Sequence, residues 1–266
     1  MRIIQKETNI GLLREKNEDA AIAITHPQDK DIILLLVADG MGGKEHGEIA
    51  ANYVTSSIEQ WFTKKDVKTL NNTKKIEELL KKYIKKLNTY LIKNYGEDVL
   101  GTTLTMAIIN KHDTLIVNIG DSRAYIMRKN HLIQITEDDS DVWMYYKYGE
   151  VKKDHLRYFS NNNIINACIG ICNELCKVST IIIENDYDMI LLLTDGVTDI
   201  LTDKKILQII KKSSKKLLLK NLVEESVYVD QKLKVPLSLK RKYLANYATP
   251  IHGRDNSTGA IFIKEV

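Results

Sequence analysis

Long apolar runs are missing from this sequence, and its first residues are polar. Although 44% of the 266 residues are apolar, no apolar run approaches the roughly 20 residues that a membrane-spanning helix needs. Residues 1–7 also lack the apolar core of a secretory signal. We therefore expect a cytoplasmic protein that has a sizeable core and no membrane partner.

Cysteine is also scarce. The three cysteines, Cys168, Cys172 and Cys176, follow a spacing of four residues that would place them on one face of a helix. Gly170 and β-branched neighbours argue against a helix at this point. We interpret the cysteines as ordinary small residues in a reducing cytosol, with a thiolate metal site as the alternative.

A strong net charge of either sign is absent too. The formal net charge of +4 is modest and comes from lysine-rich helical segments. The sequence lacks the interleaving of basic and aromatic residues that is typical of proteins that bind single-stranded nucleic acid. We interpret the lysines as a solvated surface and expect no nucleic-acid partner.

What the sequence does contain is an acid at the edge of several apolar strands. The four sites are Glu18-Asp19 before residues 20–24, Asp39-Gly40 after residues 34–38, Asp195-Gly196 after residues 189–193, and Asp255 before residues 260–263. A carboxylate at the end of a buried strand is costly unless a cation neutralises it. Oxygen ligands without a His/Cys cluster suit Mg²⁺ or Mn²⁺. A tight hairpin turn is the alternative for each Asp-Gly pair, but a hairpin needs no acid after every apolar run.

The apolar periodicity predicts strands and four helices. The predicted strands are 2–8, 20–25, 31–38, 102–110, 114–120, 123–129, 131–136, 176–184, 189–194 and 258–263, and the predicted helices are 47–62, 73–94, one that begins at Asp203, and 217–229. Residues 137–166 follow neither period, which predicts a mobile excursion or a small subdomain. Strands at hairpin spacing, separated by two blocks of helix, favour a layered α+β domain over alternating βαβ units.

Six short motifs then occur in a fixed order along the chain. They are Arg14-x-x-Asn17-Glu18-Asp19, Asp39-Gly40-Met41-Gly42-Gly43, Gly101-Thr102-Thr103, Gly120-Asp121-Ser122-Arg123, Thr194-Asp195-Gly196 and Asp255-Asn256-Ser257-Thr258. This series resembles the metal-dependent Ser/Thr protein phosphatases of the 2C type, in their bacterial form. No single motif is decisive, but six in order are specific, and the resemblance extends from about Arg2 to Ile263.

The resemblance implies a fold as well as an activity. It implies one domain over residues 1–266, built as a four-layer sandwich of two packed antiparallel β-sheets that helix pairs flank. A small flap would occupy about 137–170. The irregular residues 231–252 would form an insertion that is longer than the usual connection in the bacterial family.

The resemblance also implies a site for two Mn²⁺ or Mg²⁺ ions. Asp39 would bridge both metals, and the Gly40 carbonyl would help to hold one of them. Asp195 and Asp255 would hold the other. These three aspartates are therefore the expected catalytic residues, acting through water that the metals activate.

Further site residues follow from the same resemblance. Glu18 and Asp19 would lie on the opposite side of the metals and coordinate them directly or through water. Arg14 is placed like the family's phosphate-binding arginine, and a guanidinium suits a phosphate through paired hydrogen bonds. Asp121 and Asp199 match positions that hold a third, weaker metal in relatives, with a turn or helix-capping role as the alternative.

Several residues depart from the family's pattern or are ambiguous. Met41 replaces the histidine that eukaryotic members often carry, so that loop offers no general acid. Asp139 replaces a histidine at the start of the flap, and His46 is the one histidine close in sequence to the proposed site. Thr102 and Thr103 are expected to pack or hydrogen-bond without a part in the chemistry.

The implied activity is hydrolysis of phosphoserine and phosphothreonine in proteins. The partners of this chain would be phosphoproteins that a Ser/Thr protein kinase has phosphorylated. This hydrolysis needs no Cys, Ser or His nucleophile, and the sequence has no Cys-x5-Arg loop, Gly-x-Ser-x-Gly elbow or His-x-x-Glu-His motif. The alternative is a catalytically weak or inactive member of the family that binds a phosphoprotein through 137–170 and 231–252. A metal phosphodiesterase or nuclease is a weaker third hypothesis, because such sites usually mix histidine with carboxylates.

Overall fold

Strands and helices of this chain are described by a computed structural model that covers residues 2–42, 46–172, 177–228, 235–236, 239, 250–251 and 253–264. The strands in these residues are β1 (Ile3–Asn9), β2 (Asp19–Thr25), β3 (Ile33–Gly42), β4 (Leu100–Thr102), β5 (Leu104–Ile109), β6 (Asp113–Ile119), β7 (Arg123–Arg128), β8 (His131–Gln134), β9 (Ser179–Glu184), β10 (Met189–Leu193) and β11 (Ser257–Ile263). The helices are α1 (Gly47–Thr63), α2 (Val67–Leu70), α3 (Thr73–Tyr95), α4 (Asp141–Lys147), α5 (Asp195–Thr198), α6 (Asp203–Lys212) and α7 (Leu218–Tyr228), with a 3₁₀ helix at Lys153–Tyr158.

The strands form two antiparallel sheets that face each other. The first sheet has the order β1-β11-β10-β7-β8, and the second has the order β2-β3-β5-β6-β9, with β4 paired to β3. Side chains of both sheets share one buried cluster, in which Leu35 and Val37 of the second sheet meet Leu192 and Phe262 of the first. This cluster is the central layer of the core.

Strand β3 shows why its sequence is a continuous apolar run. Leu34 and Leu36 belong to the core beneath the helices, whereas Leu35 and Val37 belong to the core between the sheets. Because successive side chains of a strand point to opposite faces, a strand that is covered on both faces is apolar throughout. The second sheet therefore lies between the first sheet and a helical layer.

A helical layer covers the outer face of each sheet. Helices α1 and α3 place Val54 and Ile84 in one cluster with the second sheet, and helices α6 and α7 place Ile206 and Leu222 in a cluster with the first sheet. The layers are thus helix, sheet, sheet, helix. The predicted α+β four-layer sandwich is confirmed.

One predicted strand was wrong in its continuity. The expected strand at 102–110 is two strands, β4 and β5, that are interrupted at Thr103. Strand β4 pairs with the end of β3, where Thr102 lies opposite Gly40, whereas β5 pairs with the middle of β3. The apolar pattern runs through the break because the residues on both sides of it are buried, so periodicity could not reveal it.

The segment 137–166 has more structure than its polar sequence suggested. It contains α4 and the 3₁₀ helix, and these surround a small cluster of buried side chains that includes Val142, Trp143, Val151, Leu156 and Phe159. The small-subdomain interpretation therefore describes this segment. Helix α4 was not predicted from the sequence. Its seven residues make about two turns, and a helical period is not distinct over so short a segment.

Two further findings bear on the predicted outline of the chain. Within the described ranges, no helix combines the length and the apolar character that crossing a membrane requires. The predicted insertion at 231–252 lies almost wholly outside the described residues. Cys176, the first residue of the predicted strand 176–184, also lies outside them. Strand β9 itself begins at Ser179.

Candidate metal centre

Asp19 and Asp39 lie side by side on neighbouring strands. They stand directly opposite each other in the antiparallel pairing of β2 with β3. The Oδ2 atom of buried Asp19 accepts a hydrogen bond of 2.9 Å from the hydroxyl of Thr194, at the end of β10 in the other sheet. This bond joins the two sheets at the point where their acids meet.

Two threonines fix the backbone of Asp39. Its amide donates to Thr103 Oγ1 at 2.9 Å, and its carbonyl accepts from Thr102 Oγ1 at 3.0 Å and from the Thr103 amide at 2.9 Å. The interruption between β4 and β5 makes these bonds available. We expected Thr102 and Thr103 to pack or hydrogen-bond without a part in the chemistry, and both hydrogen-bond to the backbone of Asp39 and so position it.

Asp195 approaches Asp39 from the first sheet. It begins α5 directly after Thr194, and its side chain lies within hydrogen-bonding contact of the Asp39 carboxyl group. The Oδ1 atom of Asp195 is buried, and no hydrogen-bond partner for it exists among the described residues. A buried carboxylate oxygen without a partner is costly unless a cation or a proton occupies it.

The pKa values of these acids record the same crowding. Burial, followed by the charge of Asp19, raises the pKa of Asp39 well above its ordinary value. Burial, followed by the charge of Asp39, does the same to the pKa of Asp195. Burial also raises the pKa of Asp19 to about 7, although hydrogen bonds from Thr258 and Thr194 oppose the shift. Nearby positive charge is what would let all three carboxyl groups ionise together.

Arg14, Glu18 and Asp255 meet at the open side of the cluster. Arg14 Nη2 lies 2.8 Å from Asp255 Oδ1, and Nη1 lies 3.7 Å from Glu18 Oε2. Burial lowers the pKa of Arg14, but its hydrogen bond to Asp255 and the neighbouring carboxylates raise it by more. Arg14 therefore stays cationic next to the acids.

Asn256 holds the loop between β1 and β2 at three points, and the sequence alone did not single it out. Its Nδ2 donates to the carbonyls of Ile10 at 2.9 Å and Lys16 at 3.0 Å, and its Oδ1 accepts from the Glu18 amide at 2.8 Å. The side chain thereby fixes the loop that carries Arg14 and Glu18. Its place in the Asp-Asn-Ser-Thr motif was the available signal.

The glycines of the site allow backbone to approach backbone. A Cβ atom on Gly40 would lie 2.3 Å from the carbonyl oxygen of Gly47, and one on Gly196 would lie 1.9 Å from the carbonyl oxygen of Asn256. Both distances are too short for any side chain. Gly40 also donates its amide to the Glu18 carbonyl at 3.1 Å, which draws the end of β3 against the Glu18 loop.

Asp121 and Asp199 lie next to the central acids. Both exert a charge effect on Asp195. Burial, followed by the charges of Asp138 and Asp199, raises the pKa of Asp121 to about 8. Burial raises the pKa of Asp199 to about 6, and its Oδ2 accepts a hydrogen bond from the Asn162 amide. The structure thus brings both residues to the site, where the sequence-based expectation put a third metal.

His46 and Asp139, whose roles the sequence left open, lie outside the cluster of acids. His46 is exposed at the N-terminal end of α1, and its side chain makes no capping hydrogen bond. Asp139 joins the start of the subdomain to a turn, since its amide bonds the Gly120 carbonyl at 3.0 Å and its Oδ2 accepts from the Gly120 amide at 3.2 Å. Asp139, which stands where the family has a histidine, therefore makes a structural contact with Gly120.

The donor set fits a hard divalent cation. Among the described residues, no group of three or more His, Cys, Asp or Glu side chains is already arranged to hold an ion. The carboxylates stand instead as neighbours, with Asp39 opposite Asp19 and in contact with Asp195. The partnerless Oδ1 of Asp195 supplies an open oxygen ligand. Oxygen donors of this kind bind hard ions such as Mg²⁺ or Mn²⁺ in preference to softer metal ions.

A cavity opens beside these acids. Its volume is about 200 Å³, and Asp195, Asp199 and Asp255 form part of its wall together with Arg14. The subdomain supplies another part of the wall through residues of 157–163. A substrate in this cavity would contact both the acidic cluster and the subdomain.

Comparison with known proteins agrees with this architecture. A sequence profile described as protein phosphatase 2C matches residues 14–237. The serine/threonine phosphatase Stp of Listeria welshimeri is 31% identical over 210 residues, which are 77% of this chain and 81% of that protein. The crystal structure of the serine/threonine phosphatase Stp1 from Staphylococcus aureus has a TM-score of 0.78 and 27% identity, and the match covers 100% of this chain and 96% of that one.

A third match shows the same fold at lower identity. The catalytic domain of the serine/threonine protein phosphatase PstP, solved in complex with two manganese ions, has a TM-score of 0.72 and 23% identity. The match covers 98% of this chain and 97% of that one. Because the family profile spans most of the chain and the Stp relative aligns over more than two thirds of it, this protein belongs to the protein phosphatase 2C family of serine/threonine phosphatases.

Proposed function

We propose that this chain removes phosphate from phosphoserine and phosphothreonine in proteins at a site that holds two Mn²⁺ or Mg²⁺ ions. One observation carries the proposal. Asp39 and Asp195 come from different sheets, their carboxyl groups are in contact, and Asp195 Oδ1 is buried without a partner among the described residues. Two half-buried carboxyl groups in this arrangement, one of them with a buried oxygen that lacks a partner in the described part of the chain, favour a cation between them.

The proposed ligands follow from the positions of the acids. Asp39 would bridge the two ions, with help from the Gly40 carbonyl, and Asp195 and Asp255 would serve the ion on the side of the cavity. Glu18 and Asp19 would complete the other side, because the pairing of β2 with β3 sets Asp19 next to Asp39.

Asp121 and Asp199 lie further along the same cluster. Each exerts a charge effect on Asp195, so both are close enough to extend the acidic group beyond the two proposed ions. We assign them to a third, weaker ion. A protein of the same fold, the PstP catalytic domain, holds two manganese ions, which supports the smaller count as the minimum.

Arg14 would hold the phosphate of the substrate. Its guanidinium is about half exposed and is oriented by Asp255 at 2.8 Å and Glu18 at 3.7 Å. A guanidinium binds phosphate oxygens through parallel charged hydrogen bonds. When bound, divalent ions supply a more acidic water and neutralise the charge that develops on the phosphoryl group. The chain itself contributes orientation through Arg14 and a fixed cluster of acids.

The proposal extends to the setting of the reaction. The substrates would be phosphoproteins made by a Ser/Thr protein kinase, and the reaction would take place in the cytoplasm. The whole chain would act as one phosphatase domain, because the acids of the site come from both sheets and from both ends of the sequence.

Substitution of Asp39 by asparagine tests the proposal. Asp39→Asn keeps the size of the side chain and removes a charge, so turnover of a phosphothreonine peptide with Mn²⁺ should fall at least about a hundredfold. Calorimetric titration should show weaker Mn²⁺ binding by the same variant. The matched control is Asp188→Asn, which changes an exposed aspartate in the turn before β10.

Activity of the intact protein provides the second half of this test. Hydrolysis by the unaltered chain should stop when EDTA is added and should return with excess Mn²⁺. Full activity of Asp39→Asn would refute the assignment of the site. A wild-type chain that binds the phosphopeptide without hydrolysing it would instead favour an inactive binding module.

A further inference from the structure

Three arginines of the described part of the chain share the cavity beside the acidic cluster. Arg14, Arg157 and Arg254 all line its wall of about 200 Å³ together with Asp195 and Asp255. The acids of this wall are the proposed ligands of the metal ions, which would neutralise them. The arginines would then dominate the charge that a bound substrate meets.

Two of these guanidinium groups already have partners. Arg14 is engaged by Asp255 and Glu18. Arg157 is buried, and it donates to the carbonyls of Ile200 at 2.7 Å and Asp154 at 3.2 Å. Arg157 is therefore committed to interactions within the protein, and Arg14 is the residue already proposed to bind the phosphate of the substrate.

Arg254 differs from the other two. It is exposed, and no hydrogen bond or ion pair of its guanidinium to another described residue is found. It directly precedes the proposed ligand Asp255 in the chain. Among the described residues that line the cavity, Arg254 thus has donors available next to the place where the phosphorylated residue would bind.

The backbone around Arg254 is held firmly although its side chain is exposed. The Gly253 carbonyl accepts from the Leu12 amide at 2.7 Å, and the Arg254 amide donates to the Ile251 carbonyl at 3.2 Å. Gly253 has a φ of +65°, and a Cβ there would lie 2.7 Å from Leu12. Since its main chain is fixed, the guanidinium needs to give up only side-chain freedom when it binds a ligand.

Other residues that line the cavity carry groups that also suit an anion. Ser160 and Asn163 line it and are exposed, so a hydroxyl and a side-chain amide face the same space as Arg254. Hydroxyl and amide groups can donate hydrogen bonds to carboxylate or phosphate oxygens. A substrate group in this cavity would therefore find further hydrogen-bond donors besides the Arg254 guanidinium.

We propose that Arg254 is a specificity-determining residue that binds an anionic group flanking the phosphorylated residue of the substrate. The anion would be the carboxylate of an aspartate or glutamate, or a second phosphoryl group, and the same guanidinium chemistry serves both. This inference rests on the proposed phosphatase function. Because Arg254 is exposed, its contribution is limited by solvent, and we expect an effect of about three- to tenfold on kcat/KM.

The test compares three phosphothreonine peptides that differ at one flanking position. That position carries glutamine, glutamate or a non-hydrolysable phosphonate. The measured quantity is the ratio of kcat/KM for each anionic peptide to kcat/KM for the glutamine peptide, so that any general effect of a substitution on the neighbouring Asp255 cancels. The wild-type ratio should exceed one, chiefly through KM, and should fall as salt is added.

Variants at Arg254 then test whether this residue causes the preference for anionic peptides. Arg254→Gln should bring the ratio close to one, and Arg254→Lys should restore part of it. The control Lys211→Gln removes one positive charge from an exposed position of α6 that does not line the cavity, and its ratio should match the wild type. A higher ratio for the phosphonate than for glutamate would identify a second phosphate as the preferred anion.

The outcomes separate this inference from the proposed function. If the wild type hydrolyses none of the peptides, the phosphatase assignment fails. If it hydrolyses all of them with a ratio of one, or if Arg254→Gln keeps the wild-type preference, the role of Arg254 is refuted while the phosphatase assignment stands.

Discussion

Glu18 Oε1 accepts a hydrogen bond of 2.9 Å from the amide N–H of Gly47, the first residue of α1. The N-terminus of a helix carries partial positive charge, so this contact stabilises the Glu18 carboxylate without a basic side chain. The other oxygen of Glu18 lies near Arg14. One acid thereby links the first turn of α1, the Arg14 loop and the proposed metal site.

Gly47→Ala tests whether this close approach is needed. A Cβ atom at residue 47 would lie 2.5 Å from the carbonyl carbon of Gly40 and 2.8 Å from Glu18 Oε1. Overpacking of this kind costs about 1–3 kcal/mol, which outweighs the gain of up to about 1 kcal/mol from alanine in a helix. Urea denaturation should therefore show lower stability, and Mn²⁺ affinity should fall as Gly40 is displaced.

Ser56→Ala is the control for that substitution, because Ser56 is exposed on the same helix. Its stability and Mn²⁺ affinity should stay close to the wild type. A Gly47→Ala protein with unchanged stability and unchanged metal binding would show that α1 can shift away from Gly40 at no cost.

Asn256→Ala should be among the most destabilising substitutions near the site. The side chain is 3% exposed and makes three hydrogen bonds, to Ile10, Lys16 and Glu18. Each backbone group left buried without a partner costs about 1–3 kcal/mol, so we expect a loss of about 2–5 kcal/mol in the free energy of unfolding.

Asn166→Ala is its control, since exposed Asn166 donates one side-chain hydrogen bond, to Asp141. Urea denaturation of both variants would give the comparison. Similar small losses in the two proteins would mean that water replaces the Asn256 hydrogen bonds and that this residue does not hold the Arg14 loop.

Much of the fold could be predicted because local patterns carry it. The acids Asp39 and Asp195 follow the apolar runs of β3 and β10, and an acid after a buried apolar run must lie at a turn or at a site. The continuous apolar sequence of β3 likewise follows from its burial on both faces. Such features depend on neighbours in sequence, which is what periodicity detects.

The supports of the site could not be predicted, because their partners are distant in sequence. Thr194 binds Asp19, Thr103 binds Asp39, and Asn256 binds the Glu18 amide. A threonine or an asparagine has many acceptable partners, and no spacing rule selects among them. Only the pairing of the sheets decides which carboxylate each of these side chains meets.

Asp195→Asn should separate stability from metal binding. In EDTA the substitution replaces a carboxyl group whose ionised form is disfavoured by burial and by the charge of Asp39, so the melting temperature should equal or exceed that of the wild type. Mn²⁺ at about 100 times its Kd should stabilise the wild type by about 2.7 kcal/mol, and the variant should lose most of this gain. Calorimetry with and without Mn²⁺ measures both effects. An equal Mn²⁺ response in the two proteins would remove Asp195 from the ligand set.

The buried ion pair between Arg123 and Asp138 gives a prediction outside the metal site. Arg123 Nε and Nη2 contact the Asp138 carboxylate at 2.6–3.0 Å, and the guanidinium lies 5.7 Å from the centre of the Trp143 ring. Asp138→Ala leaves a buried positive charge unpaired, which costs about 3–5 kcal/mol. Urea denaturation should show this loss and should show most of it recovered in Arg123→Met/Asp138→Leu.

The exposed pair of Lys147 with Glu137 is the matched control for the buried one. Glu137→Gln should produce no measurable loss, because solvent screens an exposed pair. If Asp138→Ala were equally harmless, water would have to reach Arg123, and the ring of Trp143 would not cover it as the structure places it.

Amide hydrogen exchange should be faster in residues 141–165 than in the central strands. This segment has a small core of its own and short helices, whereas β10 has hydrogen-bonded neighbours on both sides. Local opening needs less free energy where few apolar contacts and few backbone hydrogen bonds are lost. Contacts between this segment and the two sheets with their helices are not evenly distributed along the segment, however. Lys153 pairs with Asp203 at 2.6 Å, and Arg157 donates to the Ile200 carbonyl at 2.7 Å.

Residues 153–158 should therefore exchange more slowly than 141–150, and both should exchange faster than β10. Mass spectrometry of peptides from the three regions in one sample makes the comparison internally controlled. Exchange as slow as that of β10 throughout the segment would mean that the subdomain opens only when the whole protein unfolds. Its wall of the cavity would then be a rigid part of the site, and entry of a substrate would have to occur without displacement of the subdomain.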